Sequence, residues 1–174
     1  KLVSASVWKP DGEPCPITKF VDGSGILVDY FGNGQKMKEG HYKDGEQDGL
    51  WTKWYENGQK KAEGHIKDGK QDGLGTTWYD NGQKQREGHC KDGKPEGHWT
   101  YWHENGQKLA ETHYKNSKRD GLSTSWYENG QKWRESHYKD GKEDGPKTWW
   151  YENDQKWFER HYKNGKRDGL TTVW

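Results

Sequence analysis

A chain of 174 residues with only 26% apolar side chains and 33% charged ones has too little aliphatic material for an ordinary single-domain core. Taken alone, that deficit points to disorder, but twelve Trp and ten Tyr argue against it, because disordered segments are poor in aromatic residues. The formal net charge is +1 with both signs interleaved, so no phosphate-tracking stripe exists and nucleic acid is excluded as the expected partner.

In chain order, the first thirty residues read as a worn copy of the regular repeats that begin at Phe31. Val7-Trp8-Lys9-Pro10-Asp11-Gly12 aligns with Lys53-Trp54-Tyr55-Glu56-Asn57-Gly58, and Val21-Asp22-Gly23 with Lys43-Asp44-Gly45. Pro10, Pro14 and Pro16 suit an edge, since proline cannot donate to a ladder. Residues 1–30 are therefore expected to be a degenerate N-terminal capping repeat. Residues 31–174 hold six tandem repeats of 24 residues, the last incomplete; the clearest copy runs from Gly49 to Asp72, and further copies begin at Gly73, Gly97, Gly121, Gly145 and Gly169. A fixed period of this length signals stacked supersecondary units.

Each repeat carries two turn signals. Asn-Gly recurs at Asn33, Asn57, Asn81, Asn105 and Asn129, with Asn153-Asp154 in the sixth copy. Asp/Asn-Gly recurs at Asp44, Asp68, Asp92, Asp140 and Asn164, with Asn116-Ser117 as the exception. Such dipeptides mark two-residue hairpins whose central positions both need φ > 0. About ten residues between turns suit strands and leave no room for helices of usual length. The predicted fold is all-β: an elongated antiparallel β-meander of about 15 strands in tandem hairpin repeats, forming a single-layer twisted ribbon.

With a two-residue loop at Asn57-Gly58, Trp54 is expected opposite Lys61, Thr52 opposite Glu63 and Leu50 opposite His65, all on one face. That face carries a ladder of Trp8, Tyr30, Trp54, Trp78, Trp102, Trp126, Trp150 and Trp174. Behind it stand columns of Thr (Thr52 to Thr172), of Glu that includes Glu63 and Glu87, and of His that includes His65 and His89. Cross-strand pairs of these types contribute about 0.2–1 kcal/mol each, and lysine over an exposed Trp face about 0.5–1 kcal/mol. The Gly64 column is expected to leave space beside the Trp51 ring.

The stretch Glu39–Trp51 resembles a MORN repeat, with Gly40, Tyr42, Asp44-Gly45 and Gly49 in that family's places, and the W-Y-E-N-G-Q-K version is similar to the MORN-repeat variant of bacterial proteins. The resemblance implies an antiparallel meander used as a scaffold or binding surface; variants of this kind are often labelled antitoxin-like.

Chemistry is sparse. Successive His columns lie about 10 Å apart at two strand spacings, too far to share a zinc ion with ligands near 2.0–2.3 Å. Asp68 to Gly73 places Lys70 where a calcium loop needs an oxygen ligand. No hydrolase, metalloprotease or nucleotide-binding motif is present. Catalytic residues, cofactors and metals are thus expected to be none. No run of 18 apolar residues suggests a transmembrane helix, and no signal peptide is visible, although the start at Lys1 without Met fits removal of an upstream segment. Cys15 and Cys90 lie about three repeats apart and should not pair within the chain.

The expected function is a non-enzymatic scaffold, extracellular or at a cell surface, whose open strand edges or faces pair with further copies of itself, extending to fibres. A carbohydrate- or choline-binding module is the alternative, since rows of aromatics stack on sugars and quaternary ammonium groups. An antitoxin-like partner of another protein is the third reading.

Overall fold

The computed structural model describes residues 8–9, 11–14 and 19–174. Of the capping repeat expected over residues 1–30, Pro10, Cys15 and Pro16 lie outside them. Fourteen strands follow sequence order in one open antiparallel sheet, and no helix occurs among the described residues. None is therefore long and apolar enough to cross a membrane as a helix.

Two compact units divide the chain: residues 1–83 with 90–94, and residues 84–89 with 95–174. The first contains β1 (Lys19–Val21), β2 (Ser24–Tyr30), β3 (Lys36–Lys43), β4 (Glu46–Trp54), β5 (Lys60–Lys67) and β6 (Lys70–Trp78). β7 (Lys84–Lys91) and β8 (Lys94–Trp102) are divided between the two. The second continues with β9 (Lys108–Lys115), β10 (Lys118–Trp126), β11 (Lys132–Lys139), β12 (Lys142–Trp150), β13 (Lys156–Lys163) and β14 (Lys166–Val173).

The two turns of a repeat differ in kind. At the second turn the two-residue geometry holds: Asp44 and Gly45 take φ of 50° and 76°, and Lys43 pairs directly with Glu46. Asn116 and Ser117 adopt the same geometry at 51° and 64°. At the first turn only the glycine is left-handed, with Gly58 at 84°. The Gly58 N–H donates to Tyr55 O (3.0 Å) and the Tyr55 N–H to Gln59 O (2.9 Å), which is a three-residue loop closed by a left-handed residue. Lys9 to Glu13 repeats these bonds, with Gly12 at 84°.

The longer loop corrects the expected register. Thr52 pairs with Glu63 and Leu50 with His65, as expected, but Trp54 pairs with Lys60, and the ladder slips between Lys53 and Trp54. Lys61 is the extra residue of a bulge, and its ammonium lies over the Tyr55 ring at 5.1 Å. A second irregularity comes after the other turn. Tyr42 pairs with Gln47 and Gly40 with Trp51, so Asp48, Gly49 and Leu50 share the space opposite His41. Gly49 absorbs the kink at φ 96°. Because two residues are added, the in–out alternation survives.

Side chains stitch each turn to the next. The Asn57 amide donates to Asp80 O (2.7 Å) and its Oδ1 accepts from the Gln59 N–H (3.0 Å); Asn33, Asn105 and Asn129 donate to Glu56, Glu128 and Glu152 carbonyls in the same way. At the other row, the Gly69 N–H donates to Gln47 O (3.2 Å). Asp72, Asp120 and Asp144 accept from the amides of Asp92, Asp140 and Asn164. The core is correspondingly thin: among the described residues Phe20, Val28, Trp51 and Trp99 are the buried apolar ones, and Thr52, Thr76, Thr124 and Thr148 are buried as well.

Candidate interaction surface

The indole ladder is held by lysines from the N-terminal end of each preceding strand. Lys60 Nζ donates to Glu63 Oε2 (2.5 Å) and stands 5.8 Å from the Trp78 ring centroid. Lys36 does the same with Glu39 and Trp54, and Lys84 with Glu87 (2.7 Å) and Trp102 (5.6 Å). Lys108, Lys132 and Lys156 stand over Trp126, Trp150 and Trp174. Glu63 also accepts from Thr52 Oγ1 (3.4 Å). Since Lys60 both pairs with Trp54 and covers Trp78, the two indoles share a face. The expected cation–π contact is thus present, but through Lys60 instead of Lys61.

Trp54, Trp78, Trp102, Trp126 and Trp150 are half-buried, as is Tyr30. Trp8 is 61% exposed and forms a bridge with Pro14, while Trp174 is 57% exposed. His65 and His89 are exposed; the His89 carbonyl accepts from the Trp99 indole (3.1 Å). No group of three or more His, Cys, Asp or Glu side chains is placed to hold a metal ion among the described residues.

The other face carries separate aromatic clusters. In the first unit Phe20, Tyr42 and Trp51 meet edge to face at centroid distances of 5.4 Å. The Trp51 indole donates to His41 O (3.1 Å) and lies flat over Gly40, where a Cβ would overlap its ring. In the Gly64 column, expected to leave space beside the Trp51 ring, Gly40 does so, while Gly64 itself faces Gly75 and the Gln71 amide.

In the second unit Trp99 lies likewise over Gly88, stacked on Tyr101 and edge-on to Tyr114. Burial pushes the Tyr101 phenol up to about 12, with Tyr114 adding to the shift and Arg86 and Arg119 opposing it. The fold favours the neutral phenol, so its stabilisation is complete below the ordinary value of 10 and is lost as pH rises from 10 to 12. Stability measured by urea unfolding should therefore decline less steeply over that window in Tyr101→Phe than in the parent; identical slopes would refute the assignment.

Further along, Trp149 stacks on Phe158 at 4.1 Å, and Phe158 presents its edge to Trp157. Within the second unit a surface groove of about 620 Å³ is lined by His103, Leu109, Trp126, Tyr127, Glu128, Asn129, Trp133 and Glu152. Tyr127 OH donates to Trp150 O (2.9 Å), and His103 Nε2, in the equivalent place one repeat earlier, bonds Trp126 O (3.0 Å). The carbonyl can only accept, so that imidazole nitrogen carries the proton. Sequence reasoning passed over this groove, although the change from Lys61 to Leu109 and Trp133 at one repeat position was its signal.

A meander of hairpins stitched at both turn rows, with a ladder on one face and aromatic clusters on the other, defines a tandem-repeat scaffold or interaction module. The chain belongs to the MORN-repeat variant family, whose model matches residues 24–44, 47–68, 71–92, 95–116, 119–140 and 143–164. Comparison with curated proteins gives no match.

Proposed function

We propose that the chain is a non-enzymatic scaffold that associates with further copies of itself through its strand edges or faces. The observation that carries this is the repetition of the sheet itself: β3 to β14 are eight or nine residues long, follow sequence order and repeat the same side chains, so a strand of the same type from another copy fits at an edge with the same pairing. A head-to-tail contact of this kind does not close on itself and grows into filaments.

The ladder favours this reading over a choline- or sugar-binding one, since the ladder's own lysines already stand over its rings. Sedimentation velocity should show concentration-dependent growth, and electron microscopy short filaments. The double variant Leu170→Lys/Thr172→Pro should stay monomeric. A parent chain that is strictly monomeric at high concentration and forms no filaments would overturn the proposal.

A further inference from the structure

We propose that the groove between Tyr127 and Trp133 binds the ammonium group of a lysine side chain on a partner polypeptide. The inference rests on reading the chain as an interaction module and adds a ligand class and a site to it. The protein itself shows the chemistry. In the second repeat Lys61 lies over Tyr55, whose hydroxyl is fixed by Trp78 O at 2.8 Å. In the fifth repeat Tyr127 is fixed in the same way by Trp150 O, but the residue in the place of Lys61 is Trp133. Its ring stands 6.3 Å from Tyr127 at 49°, which makes a corner of two aromatic walls instead of a capped ring.

In the sixth repeat the equivalent pair, Tyr151 and Trp157, stands 5.6 Å apart at 32°, and the edge of Phe158 packs on Trp157 at 4.7 Å. The Tyr127–Trp133 corner opens instead into the groove, with Leu109 beside it.

Charge sets the class of ligand. Glu128 and Glu152 line the groove and no lysine or arginine does. The Glu128 carboxylate is 80% exposed, 3.9 Å from His103 Nδ1, and free to turn toward a cation. Arg134 holds its guanidinium 4.7 Å from the Trp133 centroid without lining the groove. Two ring walls with carboxylates at the mouth attract an alkylammonium through the ring quadrupoles and the net negative charge together. An apolar stem on the same ligand suits Leu109. A sugar would find acceptors here but no flat platform, since the two rings are inclined to each other.

The test is a ¹H–¹⁵N NMR titration of the whole chain with a blocked Gly-Lys-Gly peptide. Controls are the same peptide with norleucine for lysine, tetramethylammonium chloride, and maltose. The lysine peptide should shift the amides of Tyr127 to Gln131 and the Trp133 indole saturably at millimolar concentration, and the norleucine peptide should not. Glu128→Gln/Glu152→Gln should weaken binding about fivefold. Trp133→Lys, which recreates the second repeat's internal cap, should abolish it while leaving the circular dichroism and melting curve in place.

Equal shifts with norleucine, a response to maltose, tetramethylammonium binding without lysine binding, or no saturable shift would each overturn the proposal. Binding lost only in variants that also unfold would be decided by the glutamine pair, whose exposed positions carry no packing. Self-association is read separately: Leu170→Lys/Thr172→Pro should leave the groove shifts unchanged, and Trp133→Lys should leave sedimentation unchanged.

Discussion

Trp99→Ala should destabilise the protein by about 3–5 kcal/mol, the range for deleting a buried Trp side chain, and Trp102→Ala by clearly less. Trp99 is only 7% exposed. Its ring covers Gly88, stacks on Tyr101 at 6.2 Å and meets Tyr114 edge-on at 6.4 Å, and its indole N–H satisfies His89 O. Truncation removes these contacts and opens a hole that cannot collapse, because the backbone on both sides is fixed in the sheet. Trp102 is half-buried on the other face, and much of what it contributes is a contact with Lys84 at 5.6 Å, worth about 0.5–1 kcal/mol when exposed. Urea unfolding followed by far-UV circular dichroism gives both values. If Trp102→Ala costs as much as Trp99→Ala, the ladder is the core and the burial argument is wrong.

That contrast also marks where sequence reading stops. Columns that barely vary, such as the Trp54 ladder, stand out in the sequence, whereas the drifting column of Trp51, Gly75, Trp99 and Ser123 looks secondary. Yet the drift tracks packing. Trp51 lies over Gly40 and Trp99 over Gly88, while Gly75 gives its place to the Gln71 side chain and Ser123 is opposite Ser136. Alternation says which face a residue takes, but not which way along the sheet an indole leans, so it finds the glycine column beside Trp51 without telling whether Gly40 or Gly64, both paired with Trp51, lies under the ring.

Periodicity and turn chemistry suffice for the strands, their order, and the Thr52–Glu63 and Leu50–His65 pairs. They do not suffice for the first loop. Asn-Gly serves a two-residue loop and a three-residue loop equally well, and adjacent Lys60 and Lys61 conceal a one-residue slip. Asn57 is there less for a left-handed φ than for its amide, which reaches Asp80 O in the next repeat. That long-range bond leaves no local trace. The groove escapes sequence reading for a related reason: a search for converging acid, base and nucleophile does not register the exchange of Lys61 for Leu109 and Trp133.

Gly145→Ala should cost about 2–3 kcal/mol, near the top of the range for a non-glycine residue held in a sparsely populated backbone region, whereas Gly97→Ala should cost only about 1 kcal/mol. Both glycines hold the same place in their repeats, and at Gly145 an extra pair of residues is accommodated opposite His137. Gly145 takes φ 119°, and an added Cβ would come within 3.2 Å of His137 Cβ, an atom of a strand that cannot move aside. Gly97 takes φ 70°, inside the left-handed well that other residues visit at modest cost, and an added Cβ meets nothing within 4 Å. The two substitutions thus separate the strain of the kink from mere loss of a glycine. Urea midpoints at constant slope measure the difference. D-alanine introduced at position 145 by semisynthesis adopts positive φ without strain and should recover most of the loss. Equal costs for Gly145→Ala and Gly97→Ala, or no recovery with the D-residue, would mean that something other than the backbone kink requires glycine at this point of every repeat.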